Sequence, residues 1–143
     1  MSTRNQLSGQ LALVMQEVIA SAVLTNERIA RTIGLNVVDF QTYGVLLRND
    51  GPMTPGQVSQ ATELPSSTTT RVLDRLEGKG MVERRPDPDD RRKVWVHALP
   101  FTDDRVNAAY AEIVAQMDQA HTGFTVAELE TVLRYLSTIK NIR

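Results

Sequence analysis

The chain has 143 residues, with 16 Lys+Arg against 17 Asp+Glu for a net charge of −1, and 41% of its residues are hydrophobic. That length fits one domain with a real core, and that balance excludes a disordered chain and a uniformly basic coat for nucleic acid, though not a local basic patch. There is no cysteine, which excludes disulfides, thiolate nucleophiles, thiol redox switches and zinc ribbons.

No run approaches the roughly 18–20 uninterrupted apolar residues of a membrane span, because Gln16 and Glu17 cut the N-terminal apolar stretch. The start, Met1-Ser2-Thr3-Arg4, is a poor signal peptide. The expected class is a soluble, cytoplasmic protein of one domain, residues 1–143, with no membrane segment.

The first element is a long helix. Leu7, Leu11, Val14 and Val18 are spaced four, three and four apart, and Ile19, Ala22, Val23, Ile29 and Ile33 continue the stripe. Gly34 ends it. About 25 helical residues span roughly 38 Å, too long for one small globule to cover, so part of the apolar face is expected to meet a partner chain.

A second helix runs through Phe40, Tyr43, Gly44 and Leu47 and ends in the turn Asn49-Asp50-Gly51-Pro52. Thr54-Pro55-Gly56-Gln57 then has the form of a capping box with proline at the first helical position. The short helix that follows carries Val58 and Ala61 and stops near Glu63-Leu64. Pro65 opens the next helix, with Ser66 as an alternative cap. Its buried stripe is Thr69, Val72, Leu73 and Leu76, and Gly78 and Gly80 stop it. Two short helices joined by about four residues make a helix-turn-helix candidate.

The period then becomes two. Residues 81–85 and 94–99 read as strands joined by the charged link Pro86-Asp87-Pro88-Asp89-Asp90-Arg91-Arg92-Lys93. Pro100 breaks the second strand, and Thr102 is a candidate cap for a helix through Val106, Tyr110, Ile113, Met117, Ala120 and Phe124. After Gly123, Thr125 caps a last helix with Leu129, Val132, Leu133, Leu136 and Ile139 on its apolar side. The expected fold is mainly α with a small β-hairpin wing (α+β): a winged helix-turn-helix flanked by terminal helices that look like an assembly module.

Catalytic motifs are missing. The stretch Gly51-Pro52-Met53-Thr54-Pro55-Gly56-Gln57-Val58 looks superficially like a phosphate-binding loop, but Gln57 and Val58 stand where Lys and Ser/Thr are needed. His97 and His121 are the only histidines, 24 residues apart, and form no ligand cluster. Asp89-Asp90 and Asp103-Asp104 read as turn and helix-start residues, not acid–base pairs. No enzyme activity, cofactor or metal is expected.

Residues 65–99 hold eight Lys+Arg against six Asp+Glu. Ser66, Ser67, Thr70, Arg71 and Asp74 lie on the helix face opposite Val72, Leu73 and Leu76. Small hydroxyl residues at a helix start admit a phosphate backbone, and Arg71 can reach a phosphate or a guanine edge. A solvated face with capping hydroxyls is the other reading of the same pattern. On the hairpin tip, a flexible Arg92 oriented by Asp90 suits insertion into a narrow minor groove. A solvated charged turn is the alternative there.

The two blocks Ser67-Thr68-Thr69-Thr70-Arg71-Val72-Leu73-Asp74-Arg75-Leu76-Glu77-Gly78-Lys79-Gly80-Met81-Val82-Glu83-Arg84 and Asp87-Pro88-Asp89-Asp90-Arg91-Arg92-Lys93-Val94-Trp95-Val96 resemble the MarR family of transcriptional regulators. The Asp-x-Arg pair, Asp90 and Arg92, is the most specific mark. One departure is Ala98-Leu99-Pro100-Phe101-Thr102, where the family commonly has Leu-Thr and then glycine, so the following helix is capped differently.

The resemblance implies a winged helix-turn-helix over residues 36–100 and dimerisation helices over 1–34 and 102–143. It implies a bacterial, sequence-specific, double-stranded DNA-binding regulator: a homodimeric repressor on a pseudo-palindromic operator. By the same analogy Ser66, Ser67, Thr70 and Arg71 face the major groove and Arg75 contacts phosphate. Arg92 enters the minor groove, positioned by Asp90, and Arg91 and Lys93 add phosphate contacts. The implied effector is a small aromatic or anionic molecule. Phe40, Tyr43, Met15 and Ile19 are candidate lining residues, although helically spaced aromatics are usually core, and the effector site stays unassigned. The competing function is a winged-helix protein-interaction module without DNA binding, in keeping with the mild net acidity and the three wing aspartates.

Overall fold

The computed structural model describes residues 1–100 and 103–142. Eight elements follow in chain order: α1 (Arg4–Thr32), α2 (Val37–Arg48), α3 (Pro55–Thr62), α4 (Ser66–Gly78), β1 (Val82–Pro86), β2 (Val94–Ala98), α5 (Asp104–His121) and α6 (Val126–Ile139). This is the mainly α architecture with a hairpin wing expected from the sequence.

Local chemistry fixes the helix starts. Thr3, Asn36, Thr54 and Thr125 each accept the backbone N–H three residues on, and Gln6, Asp39, Gln57 and Glu128 reach back to the cap's own N–H. The Thr54 and Thr125 caps fall where the sequence puts them. Gly34 follows α1 with φ +73°, a left-handed turn that glycine adopts without a Cβ penalty. Pro65 sits just outside α4 as its N-cap, and Ser66 is the first helical residue, so neither supplies a side-chain cap.

Two compact units divide the chain, Met1–Thr102 and Asp103–Arg143. In the first, α2 packs on α1, α3 and α4. Its core is Ile29, Ala30, Ile33 and Leu35 at the end of α1, Phe40, Tyr43 and Leu46 of α2, Val58 of α3, and Val72, Leu73 and Leu76 of α4. Met53, Met81, Val82 and Val96 close it from the wing side. Each Val, Leu, Ile, Met or Phe side chain among these removed from water stabilises by about 1.5–3 kcal/mol. Phe40 and Tyr43 are buried, and the Tyr43 hydroxyl donates to the Leu99 carbonyl at 2.7 Å. Met15 is half-buried and Ile19 exposed.

The wing is a two-stranded antiparallel ladder pairing Val82 with Ala98, Arg84 with Val96 and Pro86 with Val94. Pro86 is the last residue of β1 rather than part of the link; it tolerates that place because a strand end demands no further N–H. Met53 adds a third short edge: it donates to the Val96 carbonyl at 3.1 Å and accepts from the Val96 N–H at 2.7 Å.

In the second unit the cap of α5 is Asp103, whose carboxylate accepts from the Arg105 N–H at 2.9 Å. The cap expected at Thr102 lies outside the described residues. Tyr110, Val114 and Met117 of α5 are exposed at helical spacing, as are Val132, Leu133 and Leu136 of α6.

Most of α1 is likewise uncovered. Leu7, Leu11, Val14 and Val18 are all about half exposed. By length and composition α1 is apolar enough to cross a membrane, beyond what the uninterrupted run alone indicates. Gln10, Gln16 and Glu17 sit inside that stretch, and a carboxylate at mid-bilayer is costly.

Candidate nucleic-acid interface

The turn between α3 and α4 is held tightly. Glu63 takes the left-handed conformation at φ 58°, and the Ser59 hydroxyl donates to the Leu64 carbonyl. Thr69, Val72, Leu73 and Leu76 are all buried, the stripe expected from their spacing. That burial turns Ser66, Ser67, Thr70 and Arg71 outward, and all four are exposed. With no side-chain cap, the first-turn N–H groups of α4 have no partner within the helix, which suits a phosphate. Thr70 Oγ1 donates to the Ser66 carbonyl at 3.0 Å and keeps its lone pairs for an outside donor. Arg71 takes part in no ion pair among the described residues.

Two further cations on this side are engaged. Arg75 donates from Nε to Asp39 at 2.9 and 3.1 Å and from Nη2 at 2.8 Å, and this pairing raises its pKa. Arg84 donates to Asp74 at 2.5 Å and to Glu77 at 2.6 Å, so β1 is braced against the outer face of α4. Asp74 is thereby neutralised beside Arg71. Neither link has a periodic signal in the sequence. A carboxylate three residues after an N-cap, at Asp39, is the nearest to one.

The wing tip is organised by Asp87, which sequence reasoning leaves as a turn residue. Its Oδ1 accepts from the backbone N–H of Asp89 at 2.7 Å and of Asp90 at 3.0 Å. Its Oδ2 accepts from the Trp95 indole at 2.7 Å. These donors, the indole first, hold the Asp87 carboxyl below its ordinary range. The Asp-Pro-Asp-Asp run that forms this turn was the available signal.

At the tip, Asp90 Oδ1 accepts the Arg92 backbone N–H at 3.0 Å, while Arg92 Nε stands 3.5 Å away. That gap makes an ion pair and not a formed side-chain hydrogen bond. The Arg92 side chain is 93% exposed. Arg91 and Lys93 are also exposed, and Lys93 Nζ lies 5.9 Å from the Trp95 ring centre, within cation–π range. The structure thus places Ser66, Ser67, Thr70 and Arg71 on one helix face and Asp90, Arg91, Arg92 and Lys93 on the tip of the adjoining hairpin. Arg75 alone of the expected contacts is folded back onto the body.

His97 stands on β2 opposite Glu83 and lines an open cleft beside the wing with Pro52, Arg85, Pro86, Pro88 and Trp95. His121 is 3.8 Å from Asp118. Among the described residues, no group of three or more His, Asp or Glu could hold a metal ion.

Residues 33–93 match the sequence model of the MarR family. An uncharacterized HTH-type transcriptional regulator of Bacillus subtilis, YcgE, is 28% identical over 145 residues, covering 99% of this chain and 94% of that protein. The HTH-type transcriptional repressor NicR of Pseudomonas putida is 38% identical over 62 residues, 43% of this chain and 39% of that protein. In structure, wild-type MarR from E. coli in its apo form aligns with a TM-score of 0.62 at 22% identity, covering 90% of this chain and 96% of that one. Residues 33–93 therefore carry a sequence pattern similar to that of the MarR family, and the chain shares its fold with the MarR structure along nine-tenths of its length.

Proposed function

We propose that the chain is a sequence-specific, double-stranded DNA-binding transcriptional regulator acting as a homodimer in the cytoplasm. The observation that carries this reading is the exposed face Ser66, Ser67, Thr70 and Arg71 on a rigidly seated α4, beside a wing tip that holds Arg92 clear of the body. Residues 36–100 form the reading head. The hydroxyls and Arg71 meet base edges and phosphates in the major groove. Arg92 enters the adjoining minor groove, where its exposed, loosely paired charge meets concentrated negative potential, and Arg91 and Lys93 contact phosphates.

The terminal helices, residues 1–34 and 102–143, dimerise. The exposed stripe Leu7, Leu11, Val14 and Val18 supports a second copy as its cover, since a half-exposed apolar row this long is costly in water. A protein partner also accommodates Glu17 better than a bilayer does. Two heads then meet successive major grooves on a pseudo-palindrome. Similarity to the transcriptional repressor NicR supports repression, and a small aromatic or anionic effector would release the operator by favouring a dimer of different head spacing.

The test is fluorescence anisotropy with a labelled duplex from the DNA just upstream of the protein's own gene. A scrambled duplex of equal length serves as control, across a salt series. Tight, selective binding that weakens steeply with salt is expected. Equal weak binding to this duplex and to genome-selected fragments would favour the second reading, a protein-interaction module, for which the Trp95–His97 cleft is the candidate surface.

A further inference from the structure

Arg75 stands one turn beyond Arg71 on α4, where the sequence suggests a phosphate contact. Its guanidinium already holds both oxygens of Asp39, at 2.8 to 3.1 Å. The partners differ in setting: the Arg75 side chain is 45% exposed and that of Asp39 only 1%. A carboxylate so deep requires its cation, since breaking a buried pair leaves an uncompensated charge. The fork of a guanidinium on a carboxylate fixes angle as well as distance. Asp39 has a second duty in the α2 capping box, where its carboxylate accepts from the Asn36 N–H at 3.5 Å while its own N–H donates to Asn36 Oδ1 at 2.9 Å. One side chain therefore ties the start of α2, just past the α1 terminus, to the reading helix.

We infer that Asp39 is a positioning residue for DNA recognition, acting through Arg75 to set the rotation of α4 against α2. Arg75 is a strut in this arrangement and not a phosphate contact. The inference rests on the DNA-binding reading above. Side-chain tips lie about 6 Å from a helix axis, so a turn of about 10° displaces them by about 1 Å. Hydrogen bonds to base edges tolerate only a few tenths of an ångström. Phosphate contacts on flexible side chains tolerate more, so a misplaced α4 loses selectivity before it loses its general attraction to DNA.

The test compares Asp39→Asn, Arg75→Gln and the double variant with wild type on the duplex that wild type selects. Each is assayed across a salt series, below its own melting temperature by circular dichroism. Each single change is expected to weaken selective binding about tenfold or more, and the double change no further than the worse single one. The slope of binding against salt stays that of wild type, because no phosphate contact is lost. A slope lower by about one in Arg75→Gln, with Asp39→Asn binding as wild type, makes Arg75 a direct phosphate contact and overturns the inference. Additive losses, or full affinity in all folded variants, overturn it too. If Asp39→Asn does not fold, Arg75→Gln and the double variant decide by the same two signatures. A wild type that selects no duplex removes the DNA-binding reading and this inference with it, a result visible before any variant is compared.

Discussion

Trp95 and Asp87 are joined at the tip end of the wing by an indole N–H···Oδ2 hydrogen bond of 2.7 Å. The same carboxylate gathers the N–H groups of Asp89 and Asp90, so one side chain shapes the loop that carries Arg92. Trp95 is the only tryptophan, so its fluorescence reports on this site without a second indole contributing. Asp87→Ala is expected to shift Trp95 emission, lower the melting temperature slightly and weaken selective DNA binding. In wild type the carboxyl is depressed from 3.8, chiefly by the indole. Its contribution is therefore complete above about pH 4 and disappears as pH falls through the lower folded value. A fluorescence titration from pH 5 to 2 checks this, and a midpoint at or above 3.8 counts against the bond.

Arg92 is 93% exposed and only loosely paired with Asp90 at 3.5 Å, so little is lost in moving it to DNA. Arg92→Ala is expected to weaken binding to the selected duplex by roughly 1–3 kcal/mol. Anisotropy titration measures it, and unchanged affinity removes the wing from the contact surface.

Arg105 clamps Asp103 at 2.9 Å and is the main cause of a carboxyl pKa lowered to about 2. The N-terminal turn of α5 should keep this clamp above about pH 4 and lose it toward pH 2, because the depressed acid charges more readily in the folded state. Arg105→Gln should return the Asp103 midpoint toward 3.8, as read by carboxyl carbon NMR.

Leu76 is fully buried, on the stripe that seats α4. Leu76→Ala should cost about 2–5 kcal/mol of folding stability, the range for a large core truncation. Urea unfolding followed by circular dichroism measures it.

Leu11 and Val18 lie on the exposed stripe of α1. Changing both to glutamate should leave the first unit folded and turn the proposed dimer into monomers, as seen by light scattering at micromolar concentration. A dimer that survives both changes places the interface elsewhere.

Local order was well written in the sequence. The spacing of Thr69, Val72, Leu73 and Leu76 announced the face that α4 buries, and hence by subtraction the face it shows. Thr54-Pro55-Gly56-Gln57 announced a helix start by donor and acceptor chemistry within four residues. Pairings between distant residues were not legible. Asp39 and Arg75 are 36 positions apart and meet only because α2 and α4 pack, which no periodicity encodes. The Asn36 cap was missed for a related reason, since its N3 partner is aspartate and not the usual glutamate or glutamine. Arg84 pairs with Asp74 and Glu77 on another element, a link that no spacing within the strand marks. Met53, inside a turn-rich run, gave no hint of its bridge to Val96.

That bridge has a mechanical consequence. The two hydrogen bonds between Met53 and Val96 stitch the approach to α3 onto the second strand of the wing, so helix pair and hairpin turn together when either is pushed. In the dimer proposed above, two such heads would act as the jaws of a calliper: the operator would be gauged by the gap between them, and a ligand that altered the gap would release DNA without touching a single base-reading side chain.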